Sequence, residues 1–302
     1  MQDKQASPNK TDGKWTILEL LKWTTSFFKS HNIDSPRVTG EIFLAHTLNL
    51  SRIDLYLQYD QPLHAHELSQ YKKLILRRIN HEPVAYILGE KEFWAMNLNV
   101  TPHVLIPRPD TECLVEKALT LLPKSPVAAP KRVLELGTGS GAVILAIASK
   151  RPGHLYFASD CSPKAVKVAK KNAIAHNLSD SIHFFVGKWF DALKKGIELF
   201  DIILSNPPYI PTPLIDKLQQ EISNHEPRLA LDGGADGLSC LSHILEHSFS
   251  YFKKGGHLLL EIGHDQKETI GKAIKSLNCY ENVTFTKDYG GHDRVVQIDR
   301  KG

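Results

Sequence analysis

The sequence predicts a doubly wound α/β sheet with a ligand crevice at its strand ends, preceded by a small all-helical domain. Three observations predict this. From residue 132 onward, short apolar runs alternate with amphipathic stretches, the order of strands and crossover helices around a largely parallel sheet. One apolar run, 132–136, opens directly into Gly137-Thr138-Gly139-Ser140-Gly141 and a helix-forming segment, and glycines at such a turn let a ligand approach the backbone. Before residue 82, apolar residues recur only at helical spacing.

The elements follow in order. The chain has 302 residues, more than one core usually organises, so two domains are expected. Residues 1–14, MQDKQASPNKTDGK, hold no apolar region of the kind a secretory signal needs and read as a disordered tail. Ile17, Leu18, Leu20, Leu21, Thr24, Phe27 and Phe28 set a helix over 15–31, and a second is expected over 37–48. Ser51 caps a short third, and Leu68, Tyr71, Leu74, Ile75 and Ile79 share one face of a fourth. Residues 15–83 therefore read as a helical bundle. After Glu82-Pro83 the period becomes two: Phe93, Ala95, Asn97 and Asn99 alternate with Trp94, Met96, Leu98 and Val100, and Gly89-Glu90-Lys91 suits a hairpin turn. A β-hairpin linker is placed at 84–107.

The second domain is placed at 108–302. It opens with Pro107, Pro109 and an N-cap at Asp110 or Thr111, continues as a helix to Leu122, and passes through a proline-rich surface loop at 123–131. Strands are expected at 132–136, 154–159, 181–186, 201–205 and 257–262, and helices at 142–150, 163–177, 238–252 and 266–277. Edge strands are expected at 283–287 and 294–298.

Composition narrows the class. Thirty-seven Lys and Arg against 33 Asp and Glu leave a net +4, too slight for a dedicated nucleic-acid binder, and residues 1–107 carry only +1 of it. Four cysteines with no Cys-x-x-Cys spacing suggest neither a disulfide framework nor a thiolate zinc site, and fit a reducing cytoplasm. Uncharged stretches such as 136–149 and 202–215, 14 residues each, are too short to span a bilayer.

Four features carry chemistry. The glycine turn follows Glu135, but its Gly-x-Gly-x-Gly spacing is neither the dinucleotide pattern nor a P-loop. Asp160, at the end of the next strand, is placed to accept both hydroxyls of a ribose, although an N-cap ahead of Ser162-Pro163 would use the same residue type. Trp189, just past the third strand, can lie against a purine or serve as core. The fourth feature is Asn206-Pro207-Pro208-Tyr209 at the end of the strand 201–205. Alone it would be a loop; at a strand end beside the glycine turn it suits alkylation of a planar NH2 group. The Asn206 side-chain oxygen and the Pro207 carbonyl would each accept an N–H, and Tyr209 would stack on the flat target. The methyl donor for such a site is S-adenosylmethionine, whose sulfonium needs no metal.

Glycine turn and tetrad together resemble the class I S-adenosylmethionine-dependent methyltransferases that modify amide or exocyclic amino nitrogens. A narrower resemblance spans most of 82–298. Glu82-Pro83-Val84-Ala85-Tyr86-Ile87-Leu88-Gly89, Leu105-Ile106-Pro107-Arg108-Pro109-Asp110-Thr111-Glu112, Asn206-Pro207-Pro208-Tyr209-Ile210, Glu226-Pro227-Arg228-Leu229-Ala230-Leu231, Gly233-Gly234-Ala235-Asp236-Gly237-Leu238 and Leu259-Leu260-Glu261-Ile262-Gly263 look like the HemK/PrmC family of release factor glutamine methyltransferases. The resemblance implies a class I fold and N5-methylation of the glutamine in the Gly-Gly-Gln motif of class 1 peptide chain release factors. It implies that Glu135, Gly137, Thr138, Gly139, Ser140, Gly141, Asp160, Trp189 and Asn206 bind the cofactor. Asn206, Pro207, Pro208 and Tyr209 would hold the substrate, with Asn206, Pro207 and Tyr209 catalytic. A ribosomal-protein glutamine methyltransferase shares the tetrad, and Trp94-Ala95 departs from the small residue many members have after Glu92-Phe93.

Other signals are weaker. His243-Ile244-Leu245-Glu246-His247 matches a zinc-protease pattern, but 15 histidines make a chance match easy and no third ligand stands out. An amino-methyltransferase acting on adenine in DNA would use the same tetrad, yet calls for a basic recognition domain that is missing here. The helical domain is expected to grip the protein substrate; direct nucleic-acid contact, membrane binding and a metal are not expected.

Overall fold

A computed structural model gives the fold and describes residues 14–124, 129–194 and 199–301. The expected tail, apart from Lys14, and the middle of the proline-rich loop lie outside the described residues. The chain divides into two compact units. One runs up to Leu88 and takes in Gln220–His225; the other comprises Gly89–Gln219 and everything from Glu226 onward.

The first unit is helical. Thr16 and Glu19 form a capping box that starts α1 (Ile17–Ser30), because side chains there satisfy amides that no preceding turn can. Pro36 begins α2 (Pro36–Leu48), and Ser51 with Asp54 boxes the start of α3 (Arg52–Leu57). α4 (Ala65–Ile79) buries Tyr71 and Ile75 completely. The Tyr71 phenol, deep in that core, donates to Thr24 Oγ1 at 3.0 Å and lies 3.2 Å from the Gly40 carbonyl. Residues expected to open the hairpin linker instead form a short helix, α5 (Val84–Leu88), since Pro83 suits a helix start.

The second unit opens with the hairpin β1 (Glu90–Phe93) and β2 (Met96–Asn99). Its turn is Trp94-Ala95, not the glycine-containing 89–91. Both residues take positive φ, 53° and 55°, as a two-residue primed turn demands. The Trp94 N–H donates to Glu112 Oε1 at 3.2 Å, so tertiary contact holds a conformation that side chains disfavour. A 3-10 turn at Pro109–Thr111 leads into α6 (Glu112–Leu121).

Strand and helix then alternate: β3 (Arg132–Leu136), α7 (Ala142–Lys150), β4 (Leu155–Asp160), α8 (Pro163–Ala175), β5 (Ile182–Val186), β6 (Phe200–Ser205), α9 (Thr212–Ile215) and α10 (Gln220–Ser223), followed by α11 (Ser239–Ser248), β7 (Phe252–Glu261), α12 (Lys267–Leu277), β8 (Tyr280–Lys287) and β9 (Asp293–Arg300). β7 starts five residues ahead of the expected boundary, across a register shift between Phe200 and Ile202 of β6. The sheet order is β5-β4-β3-β6-β7-β9-β8, parallel through β7 and antiparallel at β9 and β8. Alternate side chains feed two cores. Val133, Ile202, Leu204 and Leu259 pack with α6 and α7 on one face, and Leu134, Leu136, Ile203, Leu258 and Leu260 with α11 and α12 on the other. The order reverses beside β3, where a doubly wound sheet opens its crevice.

α10 belongs to the helical unit rather than to the sheet around it. The Arg78 side chain, 5% exposed, donates to Glu221 Oε1 at 2.7 Å and to the Glu82 carbonyl at 3.1 Å. His225 Nε2 lies 3.0 Å from the Asn80 carbonyl. Glu221→Ala strands a buried guanidinium, so urea denaturation is expected to show a loss on the order of 3 kcal/mol; an unchanged midpoint would remove α10 as a brace.

Candidate active site

Strand register assembles the site. Leu136 of β3 pairs with Ser159 of β4 and with Ser205 of β6, and Ser205 pairs with Leu260 of β7. The residues just beyond those ends, Gly137, Asp160 and Asn206, therefore emerge side by side, with Glu261 next in line. In the turn, Gly137, Gly139 and Gly141 all take positive φ, from 55° to 84°, a conformation that carries little penalty only without a Cβ.

Asp160 locks this turn. Its Oδ2 accepts from the Gly139 N–H at 2.9 Å and its Oδ1 from the Ser162 N–H at 2.8 Å. Ser162, not Asp160, caps α8, accepting from Ala165 N. Burial holds the Asp160 carboxyl above its ordinary range, and burial pushes Glu135 up to about 8, against a hydrogen bond from Thr138. No basic side chain appears among the main groups acting on either carboxyl. Asn172, fully buried on α8, donates to the Ser140 carbonyl at 2.9 Å and to the Asn99 carbonyl at 3.0 Å. It ties the hairpin to the glycine turn.

Thr111 is expected as a helix cap but makes no capping bond; its Oγ1 accepts from Asn206 Nδ2 at 3.1 Å. The amide is thereby oriented, with Nδ2 committed to Thr111. Tyr209 turns its hydroxyl toward Glu261 Oε1, 3.4 Å away, and burial raises the phenol's pKa. Behind it, a Cβ on Gly237 would stand 2.4 Å from the Tyr209 carbonyl oxygen, and φ there is +78°. The Gly233-to-Leu238 stretch is thus a mould for the tetrad's backbone. Gln266 Nε2 completes it, donating to the Tyr209 carbonyl at 3.1 Å.

These residues surround a cavity of about 420 Å³. Glu135, Gly137, Thr138, Gly139, Ser140, Asp160, Trp189, Asn206 and Pro208 line it. Gly141, Pro207 and Tyr209 are not among its lining residues: a Gly141 Cβ would face Leu145 and Ala169 at 3.1 and 3.2 Å, Pro207 is buried, and Tyr209 is half-buried with its hydroxyl turned to Glu261. Trp189 holds φ at 50°, with its ring edge 3.9 Å from where a Gly137 Cβ would stand. The rim includes residues that local pattern did not single out as lining: Pro102 to Leu105, Arg108, Thr111, Cys161, Leu229 and Cys240. Arg108 and the Ile106 N–H both bond the buried Glu226 carboxylate, fastening one rim segment to the other. His243 and His247 stack on each other at 4.2 Å. Among the described residues, no group of three or more His, Cys, Asp or Glu is arranged to hold a metal, and no helix is long and apolar enough to cross a membrane.

A mostly parallel sheet with this order, a glycine turn after β3 and a carboxylate after β4 defines the class: a methyltransferase built on the doubly wound fold. A methyltransferase small domain matches residues 115–235, and a PrmC N-terminal domain matches 19–89. The release factor glutamine methyltransferase of Geobacter sulfurreducens is 39% identical, covering 93% of this chain and 96% of that one. Its counterpart in Coxiella burnetii is 42% identical, over 89% and 93%. The chain belongs to the release factor glutamine methyltransferase family. Among solved structures, a methyltransferase from Pyrococcus furiosus shares the fold at TM-score 0.50 and 22% identity, over 68% of this chain and 89% of that one.

Proposed function

We propose that the protein transfers a methyl group from S-adenosylmethionine to the side-chain amide nitrogen, N5, of the glutamine in the Gly-Gly-Gln motif of class 1 peptide chain release factors. The observation that carries the reading is the oriented Asn206: with Nδ2 held by Thr111, Oδ1 is left as the acceptor pole in a cavity that Asn206 lines. Family membership supports the substrate.

The cavity suits the cofactor on its own chemistry. Two carboxyls, Glu135 buried and Asp160 half-buried, with no ion pair to a cation among the described residues, favour a ligand bearing hydroxyls and positive charge. Asp160 would take the ribose hydroxyls on its remaining lone pairs, Trp189 offers a flat face to the purine, and Glu135 with residues Gly137 to Ser140 would hold the amino-acid end. When bound, S-adenosylmethionine supplies an electrophilic methyl on a sulfonium. Asn206 Oδ1 and the Pro207 carbonyl would each accept one N–H of the target amide, drawing density onto nitrogen as it leaves planarity. Pro208 and the Tyr209 ring would fix the plane of that amide and keep water out. The rigid Pro207-Pro208 backbone leaves its carbonyls free for this work.

Labelled S-adenosylmethionine and purified release factor test the reading. Label is expected in the factor and not in its Gln→Glu variant. Equal labelling of the variant, or label only in ribosomal protein or DNA offered in parallel, would overturn the assignment.

A further inference from the structure

Glu261 is a buried acid near the tetrad to which neither cofactor nor substrate gives a role. It ends β7, and the Ser205–Leu260 pairing sets it beside Asn206. It is 1% exposed, its Oε2 has no hydrogen-bond partner, its Oε1 accepts from the Tyr209 hydroxyl at 3.4 Å, and the Thr111 hydroxyl stands near enough to draw its pKa down.

We infer that Glu261 is a positioning residue that sets which pole of the Asn206 amide faces the cavity, acting through Thr111. A threonine hydroxyl has one proton to give and lone pairs to receive. A Glu261 carboxylate can only accept, so the Thr111 proton goes to it, and Thr111 Oγ1 is left able only to accept. It therefore takes the Asn206 NH2, and Oδ1 must turn the other way. A neutral Glu261 would reverse the chain: its own O–H could donate to Thr111, and Thr111 to Asn206 Oδ1. The NH2 presented to the cavity would then repel the amide N–H it is meant to accept. Burying a carboxylate here is costly, and polarity is something that an apolar residue of the same size could not supply.

The groups around Glu261 keep it poised. Arg294 on β9 attracts it but is shared with Asp288 at 3.0 Å and Asp110 at 3.3 Å. Asp110 repels it, and the Cys113 thiol on α6 also feels its charge. Burial is the largest influence and holds the carboxyl up at about 7, with Thr111, Arg294 and Tyr209 pulling the other way. The charged form, and with it the productive amide, prevails above that pH and is lost below it.

This inference rests on the glutamine methyltransferase reading, so its test carries one readout that needs no substrate. In the full-length chain labelled with ¹⁵N, the Asn206 side-chain NH2 signals are expected to move with a midpoint near pH 7, and to lose that transition in Glu261→Gln. With release factor as substrate, kcat should show an acidic limb at the same pH. Glu261→Gln, whose amide can offer either pole, should abolish the limb and lower kcat about tenfold or more, with KM for S-adenosylmethionine little changed. Thr111→Val should lose as much, and Thr111→Ser, which returns the hydroxyl, should recover most of it. Asn206 signals indifferent to pH and to Glu261→Gln would overturn the inference whether or not release factor is the substrate. So would a Glu261→Gln enzyme that keeps wild-type kcat and its acidic limb. Absence of methyl transfer by the wild-type chain would count against the substrate reading alone, leaving the Asn206 signals to decide for Glu261.

Discussion

Asn206→Ala is expected to lower the single-turnover rate of methyl transfer by on the order of 10²-fold or more, about 3 kcal/mol. The substitution removes an acceptor that gains strength only as the target nitrogen leaves planarity, so the deficit belongs in turnover. S-adenosylmethionine affinity should change far less, because Glu135, Asp160 and the glycine turn stay in place. The alanine also leaves Thr111 Oγ1 without the amide it accepts, a small added loss. Rapid-quench assays with saturating cofactor separate the two quantities. A variant with normal turnover and weakened cofactor binding would leave Asn206 a cofactor ligand alone and remove the proposed mechanism.

The second large effect is expected at Asp160. Asp160→Ala removes the ribose acceptors and also orphans two backbone amides, those of Gly139 and Ser162. Hydrogen bonds to a charged group are worth about 1.5–3 kcal/mol, so S-adenosylmethionine or its demethylated product should bind about 100-fold more weakly by calorimetry. Asp160→Asn should recover only part, since an amide can accept on one oxygen alone. The direction with pH follows from the raised carboxyl: affinity is full above its pKa and falls on acidification through it. Unchanged affinity in Asp160→Ala would take the residue out of the site.

How much of this was legible depended on whether the governing interaction was local. β3, its glycine turn and α7 could be read because an apolar run, a set of left-handed positions and a helix start lie within one short stretch. Asp160 could be read from its place at a strand end. Thr111 could not, because cap preference is a local rule and its hydroxyl is taken by a residue 95 positions away. Glu261 was hidden inside an apolar run that reads simply as a strand. The hairpin turn was misplaced because a preference for glycine at positive φ was followed, whereas Trp94-Ala95 is held there by Glu112. α10 has four residues and buries none, so it carries no periodicity to read.

The excursion of Gln220–His225 into the helical unit also sets an order of events during synthesis. The helices up to Leu88 leave the ribosome early, but the segment that braces them follows only after the greater part of the sheet. At about 5–20 residues per second that wait is on the order of ten seconds, far longer than helices take to form. Through that interval Arg78 has its carbonyl partner at Glu82 but not the carboxylate of Glu221, and the nascent unit should remain open to proteases and chaperones. The part of the chain made first is the part completed late, and a graft of residues 1–88 onto another protein would carry an unfinished domain.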